Sequence, residues 1–127
     1  MNWSRRPSGG PCKERSIAMT VKELSDALEL KVFYMEEEDR EVEGGYCGDL
    51  LSWVMGRCPE NVAWVTIMSN QNVAAVAVLC DPACTILSEG VTPDAELLER
   101  AEKQGVTLLG TDMDEYQLCW RIKELLG

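Results

Sequence analysis

The chain has 127 residues, 46% of them hydrophobic and 27% charged, the profile of one globular domain able to bury a core without disulfide or metal staples. It contains 22 acidic and 12 basic residues, for a formal net charge of −10, and no histidine. These facts exclude histidine general bases, histidine-ligated metals and phosphohistidine chemistry, and an acidic body repels nucleic-acid backbones and anionic lipid surfaces.

Residues 1–18 carry Arg5, Arg6, Lys13 and Arg15 against Glu14 alone, a local charge of +3 that leaves −13 on the remainder. Their Ser, Gly and Pro content and lack of apolar period predict a disordered basic tail. Met19 opens a better organised segment and is a candidate start, so the domain proper is read as residues 19–127. Thr20 and Glu23 form a capping box ahead of a short amphipathic helix carrying Val21, Leu24 and Leu28. Lys31–Met35 is β-branched and aromatic, hence a strand, and the acidic run from Glu36 to Asp39 is a solvated turn. A second extended piece lies within Glu41–Cys47 and contains Gly44-Gly45, a point of backbone freedom or close approach.

From Asp49 the pattern becomes rhythmic. A helix over Asp49–Gly56 is followed by the apolar run Val62–Met68, the signature of a strand covered on both faces. Asn70 caps a helix running from Gln71 to about Leu79. Cys84–Leu87 is a second buried strand, and Thr92-Pro93 starts a helix that stops at Gly105. Val106–Leu109 is a third buried strand, and the segment Thr111–Asp114 caps a last helix ending near Leu126. This alternation predicts a single α/β domain, a mostly parallel sheet with helices on both faces.

In such a sheet ligands bind beyond the carboxyl ends of the strands, where helix N-termini point. The candidate ligand-binding residues are therefore Asn70 and Gln71, Ser88 and Gly90, and Thr111 and Asp112, although Asn70 and Thr111 also serve as helix caps. Glu89, Asp94, Asp112 and Asp114 sit where a phosphate would have to go. The six cysteines follow no Cys-x-x-Cys spacing, and with no secretory h-region before them they read as reduced thiols in a cytoplasmic protein, four of them core or near-core. Cys47, ahead of a helix, is the one candidate nucleophile, since a helix N-terminus lowers a thiol pKa, but no histidine exists to activate it. No phosphate-binding loop, dinucleotide fingerprint, nucleophile elbow or zinc-protease motif occurs. The expectation is no cofactor and no metal.

Several stretches together resemble the DRTGG domain family over Met19–Leu126: the opening Met19–Leu24, Asp39-Arg40 running through Gly44-Gly45-Tyr46 to Asp49, Asn72–Ala77, Thr92-Pro93-Asp94, and Leu109–Asp112. The family-motif positions are thus Asp39, Arg40, Gly44, Gly45 and Asp49. The loops that read Gly-Asp-Arg and Thr-Gly-Gly in some relatives are here Ser69-Asn70-Gln71 and Ser88-Glu89-Gly90. The resemblance implies an accessory α/β domain of the kind attached to CBS-domain proteins and some bacterial phosphotransacetylases, similar in fold to the N-terminal domain of HPr kinase/phosphorylase, that dimerises or regulates while another domain does chemistry. Kinase activity is not inherited, because the phosphate-binding loop is missing. The expected function is a non-catalytic regulatory or protein-interaction domain forming a homodimer, with Trp53, Trp64 and Trp120 as interface anchors or core. A sensor of a small ligand such as a nucleotide, using the strand-end loops, is the alternative. An enzyme built on Cys47 or a carboxylate ranks last, and neither nucleic acid nor membrane is an expected partner.

Overall fold

A computed structural model describes residues 18–127; all of the expected tail except Ala18 lies outside them. The capping box forms as expected: Glu23 N donates to Thr20 Oγ1 at 3.1 Å and Thr20 N to Glu23 Oε1 at 3.0 Å. It starts helix α1, Val21–Leu28, directly after the two-residue strand β1, Met19–Thr20. Then come β2 (Lys31–Tyr34), β3 (Glu41–Val42), β4 (Gly45–Cys47), α2 (Leu51–Arg57), β5 (Ala63–Thr66) and α3 (Asn72–Cys80). The chain ends with β6 (Cys84–Leu87), α4 (Ala95–Gln104), β7 (Leu108–Gly110) and α5 (Glu115–Leu126).

Five strands form one sheet in the order β2-β7-β6-β5-β4, while β1 and β3 pair separately and antiparallel. The pairs β4–β5, β5–β6 and β6–β7 are parallel, as helical crossovers require. Strand β2 is the exception, running antiparallel to β7 with an irregularity between Val32 and Tyr34. Gly110 makes that edge possible, since a Cβ there would stand 2.6 Å from the Phe33 ring. Strand alternation then sorts the core into two layers. Ala63, Val65, Cys84, Ile86 and Leu109 face the helices α1 and α5 through Leu24, Leu118 and Ile122. Trp64, Leu87 and Leu108 face α2, α3 and α4 through Val54, Val73, Ala77 and Leu97. Helices on both faces of a mostly parallel sheet are what the alternation of elements predicted.

Two helix starts differ in detail. Helix α4 is capped not by Thr92 but by Asp94, whose Oδ1 accepts from Leu97 N at 2.9 Å. A carboxylate is a good N-cap and also complements the helix dipole, so Pro93 precedes the cap instead of entering the helix. For α3 the N-cap position is Gln71, which makes no side-chain cap bond, while Asn70 Oδ1 accepts from Asn72 N at 2.8 Å in an Asx turn.

Candidate functional site

The carboxyl ends of β5, β6 and β7 carry the loops predicted to bind a ligand, and the fold does bring these loops together. Ser69 O accepts from Asp94 N at 3.1 Å, Glu89 N donates to Met113 O at 2.8 Å, and Gly90 N donates to Thr111 O at 2.8 Å. The β6–α4 turn passes through two left-handed residues, Glu89 at φ 58° and Gly90 at φ 73°. Glycine is needed at position 90 for that reason, and because a Cβ there would stand 3.0 Å from Asp112 Oδ1. The amides of Glu89 and Gly90, which an open glycine loop would offer to an anion, are thus committed to carbonyls of the β7–α5 loop. Thr111 Oγ1 accepts from Met113 N at 3.2 Å, and Asp114 Oδ1 caps α5 by accepting from Gln117 N at 2.8 Å.

One polar group here is left over. Ser88 is fully buried and its hydroxyl has no hydrogen-bond partner among the described residues, a state that ordinarily costs about 1–3 kcal/mol. Gln71 is also without a cap role. Among the six candidate ligand residues, then, Asn70, Gly90 and Thr111 have evident structural work, Asp112 occupies the space that a side chain at position 90 would need, and Ser88 and Gln71 have no such role.

Sequence reasoning passed over a carboxylate pair next to these loops. Asp49 Oδ1 accepts from Thr66 Oγ1 and from Ile67 N, both at 2.8 Å, which pins the β4–α2 loop to the end of β5. Glu115, in the first turn of α5, lies beside Asp49, and its Oε2 is buried with no partner among the described residues. Burial first, and then Asp49, hold the Glu115 carboxyl above its ordinary value of 4.5. The two residues are 66 positions apart, so no local pattern marks them as a pair. A carboxyl raised on folding binds more protons folded than unfolded, so its contribution to stability is lost as pH rises through the raised value. Comparing Glu115→Gln with the parent, the difference in melting temperature, variant minus parent, should therefore increase between pH 4 and pH 7. Parallel curves from thermal scans across that range would refute the assignment.

The thiol of Cys47 behaves in the opposite way to the sequence expectation. Burial pushes its pKa well up, helped by the neighbouring Cys119 and Glu115. A helix N-terminus does not lower it, because α2 begins four residues later at Leu51 and an acidic group sits beside the sulfur instead. Cys84, fully buried, is pushed up to about 12. The five described cysteines are free. Iodoacetamide at pH 8 should label Cys47 far more slowly than it labels glutathione; labelling at an equal rate, read by peptide mass mapping, would restore Cys47 as a candidate nucleophile.

The family-motif positions other than Asp49 divide between two places. Arg40 lies at the opposite, amino-terminal end of the sheet, where it binds Asn61 Oδ1 through Nε and Nη2 at 3.2 and 2.7 Å. It also binds Asp81 Oδ1 through Nη1 at 3.0 Å and Asp81 O through Nη2 at 2.8 Å. Asp39 is exposed beside it. Gly44 and Gly45 flank a groove of about 440 Å³ between β4 and α5, lined also by Tyr46, Val65, Ile122 and Leu126. Neither glycine has a left-handed φ, and a Cβ on either would make only ordinary contacts, 3.9 Å to Val62 and 3.5 Å to Ile122. Backbone freedom is therefore not the reason for these glycines. Among the described residues no group of three His, Cys, Asp or Glu side chains is placed to hold a metal ion, and no helix is long and apolar enough to cross a membrane.

The small α/β domain with its strand-end loops clasped together has counterparts of the same fold among known proteins. The family model described as HPr Serine kinase N terminus matches residues 65–126, from β5 to the end of α5. Among solved structures, the chain is similar to the CBS and DRTGG domains of the regulatory region of Clostridium perfringens pyrophosphatase, complexed with its activator diadenosine tetraphosphate. The TM-score is 0.68 at 18% identity, covering 82% of this chain and 45% of that one. That likeness is one of fold, over less than half of the pyrophosphatase chain. No curated protein matches. The resemblance to DRTGG-type domains read from the sequence is thus supported twice, by the family model over the second half of the chain and by the fold over most of it.

Proposed function

We propose that this chain is a non-catalytic regulatory and protein-interaction domain that acts in the cytoplasm as a homodimer. The observation that carries the reading is how the strand-end loops use their polar groups. Glu89 N, Gly90 N, Thr111 Oγ1, Asp94 and Asp114 are engaged in loop-to-loop bonds and helix caps. Little is left there to polarise a substrate, and the Cys47 thiol, although Glu115 lies beside it, has its pKa pushed up chiefly by burial. Large apolar side chains remain exposed instead, including Trp53, Trp120 and Tyr116 at 54%, 57% and 85%. Exposed aromatic residues of this size are favoured anchors of protein interfaces. Light scattering on the purified chain tests the homodimer directly; a monomer at every concentration would remove it.

One observation favours a sensor of a small ligand as the second reading, namely the buried, unpaired Ser88 hydroxyl. The pyrophosphatase region of similar fold was crystallised with a dinucleotide activator, so mono- and dinucleotides form the first panel. A rise in melting temperature with one nucleotide, abolished by Ser88→Ala, would establish the sensor. No shift across the panel would discard it and leave the interaction reading standing.

A further inference from the structure

Strand β4 ends the five-stranded sheet, and among the described residues nothing pairs with its outer edge. Gly44 O accepts from Ala63 N at 2.9 Å, and Gly48 N donates to Val65 O at 3.1 Å. These residues face β5, so by strand alternation Gly45 and Cys47 turn their N–H and C=O groups outward. An open row of this kind is a template for another strand, and proteins ordinarily cover or blunt it. This edge is not blunted by charge or proline within β4. It carries instead Gly45, which neither backbone conformation nor space within the protomer requires. A strand glycine without an internal reason often marks a place where a ligand or another backbone approaches closely.

The flank of the edge is apolar. Helix α5 runs antiparallel to β4, since Glu115 lies beside Cys47 while Ile122 Cγ2 lies 3.5 Å from the position of a Gly45 Cβ. Cys119 and Lys123 line the groove between them. Tyr116 and Trp120 complete the same i, i+3, i+4, i+7 stripe of α5, and both are exposed. Groove, open edge and aromatic stripe therefore form one continuous surface.

We infer that this surface is the contact of the homodimer, made by antiparallel pairing of β4 with β4 of a second copy about a two-fold axis at Tyr46. The inference rests on the dimeric reading above and specifies its geometry. The outward groups of Gly45 and Cys47 lie symmetrically about Tyr46, so each Gly45 pairs with the partner's Cys47 and every outward N–H meets a C=O. Such self-complementarity is what a two-fold contact demands. The glycines leave space opposite the cysteine side chains. Because α5 is antiparallel to β4, the two-fold sets Lys123, at one end of each groove, toward the end holding the partner's Asp49 and the partner's Glu115. The same two-fold sets Glu43, at the Lys123 end of the groove, opposite the partner's Asp49, so Lys123 lies among carboxylates of both copies and offsets part of the repulsion between two chains of net charge −10.

The test is light scattering on the full chain together with Gly45→Lys, which places a charge on the edge at a position where the protomer has room for a side chain. The wild-type chain should run as a dimer and Gly45→Lys as a folded monomer, with an unchanged far-ultraviolet circular dichroism spectrum. Trp120→Glu, on an exposed helix position, should weaken the dimer about tenfold or more. Hydrogen exchange adds a readout that folding alone does not move: the Cys47 amide should be protected in the wild-type dimer and exchange freely in Gly45→Lys. A dimer that survives Gly45→Lys with Cys47 unprotected overturns this geometry and leaves the dimeric reading intact. A wild-type monomer overturns both, including the case in which residues of this chain cover the edge themselves.

Discussion

Trp64→Ala is expected to lower the unfolding free energy by about 3–5 kcal/mol, the range for removing a large aromatic side chain from a packed core. Trp64 is fully buried on the α2–α4 face of the sheet, among Val54, Val73, Leu87 and Leu108. Its indole also donates from Nε1 to Gly48 O at 3.0 Å, so the side chain ties the middle of the sheet to the loop that leads from β4 into α2. With a total stability of roughly 5–15 kcal/mol for domains in general, that loss would leave the variant partly unfolded at ordinary temperature. Trp64→Phe separates the two contributions. It keeps most of the apolar volume and removes the bond to Gly48, and should cost about 1–3 kcal/mol. Urea denaturation followed by circular dichroism measures both. If Trp64→Ala loses no more than Trp64→Phe, then packing is not what Trp64 contributes.

Arg40→Ala should cost about 2–3 kcal/mol, unusually much for an arginine that is not fully buried. The guanidinium makes four hydrogen bonds to two residues, Asn61 and Asp81. Both of these occupy left-handed backbone conformations, at φ 66° and 58°, which asparagine and aspartate adopt more readily than other non-glycine residues. Arg40 thus holds two left-handed turns, one before β5 and one after α3, in a single grip. Its side chain is only 20% exposed, against 64% for Asp81, so water competes weakly for the bonds to Asn61 and more for those to Asp81. Arg40→Lys should recover little, because one ammonium cannot reproduce a planar fork that reaches a side-chain amide, a carboxylate and a carbonyl together. The loss should also persist in high salt, unlike that of a surface ion pair. A loss below roughly 0.5 kcal/mol, the size of an ordinary surface substitution, would mean the turns hold themselves.

These two residues also mark the boundary between local and distant information. The capping box at Thr20 and Glu23, the helix stop at Gly105 and the apolar runs that became β5, β6 and β7 all depend on residues within a few positions of each other. The sequence by itself determined them, along with the order of elements and hence the layered α/β architecture, because hydrogen-bond geometry and side-chain period act over one or two turns. The choice of Asp94 over Thr92 as the cap of α4 was a near miss of the same local kind, with two capping residues competing within three positions.

Tertiary structure alone decided the rest. Three tryptophans look alike in the sequence, yet Trp64 is fully buried while Trp53 and Trp120 are exposed, with the Arg57 guanidinium lying 4.0 Å above the Trp53 ring. Placement settles that, since Trp64 lies on β5, an interior strand covered on both faces, whereas Trp53 and Trp120 lie on helices. The antiparallel placement of β2 against β7, the Arg40 contacts 21 and 41 residues away and the meeting of Asp49 with Glu115 are likewise unmarked by any nearby pattern. The strand-end loops were correctly located from the rule for parallel sheets, but whether their amides stood open or were committed to one another depended on the distance between β6–α4 and β7–α5. That distance is set by packing, through side chains whose neighbours in space are strangers in sequence.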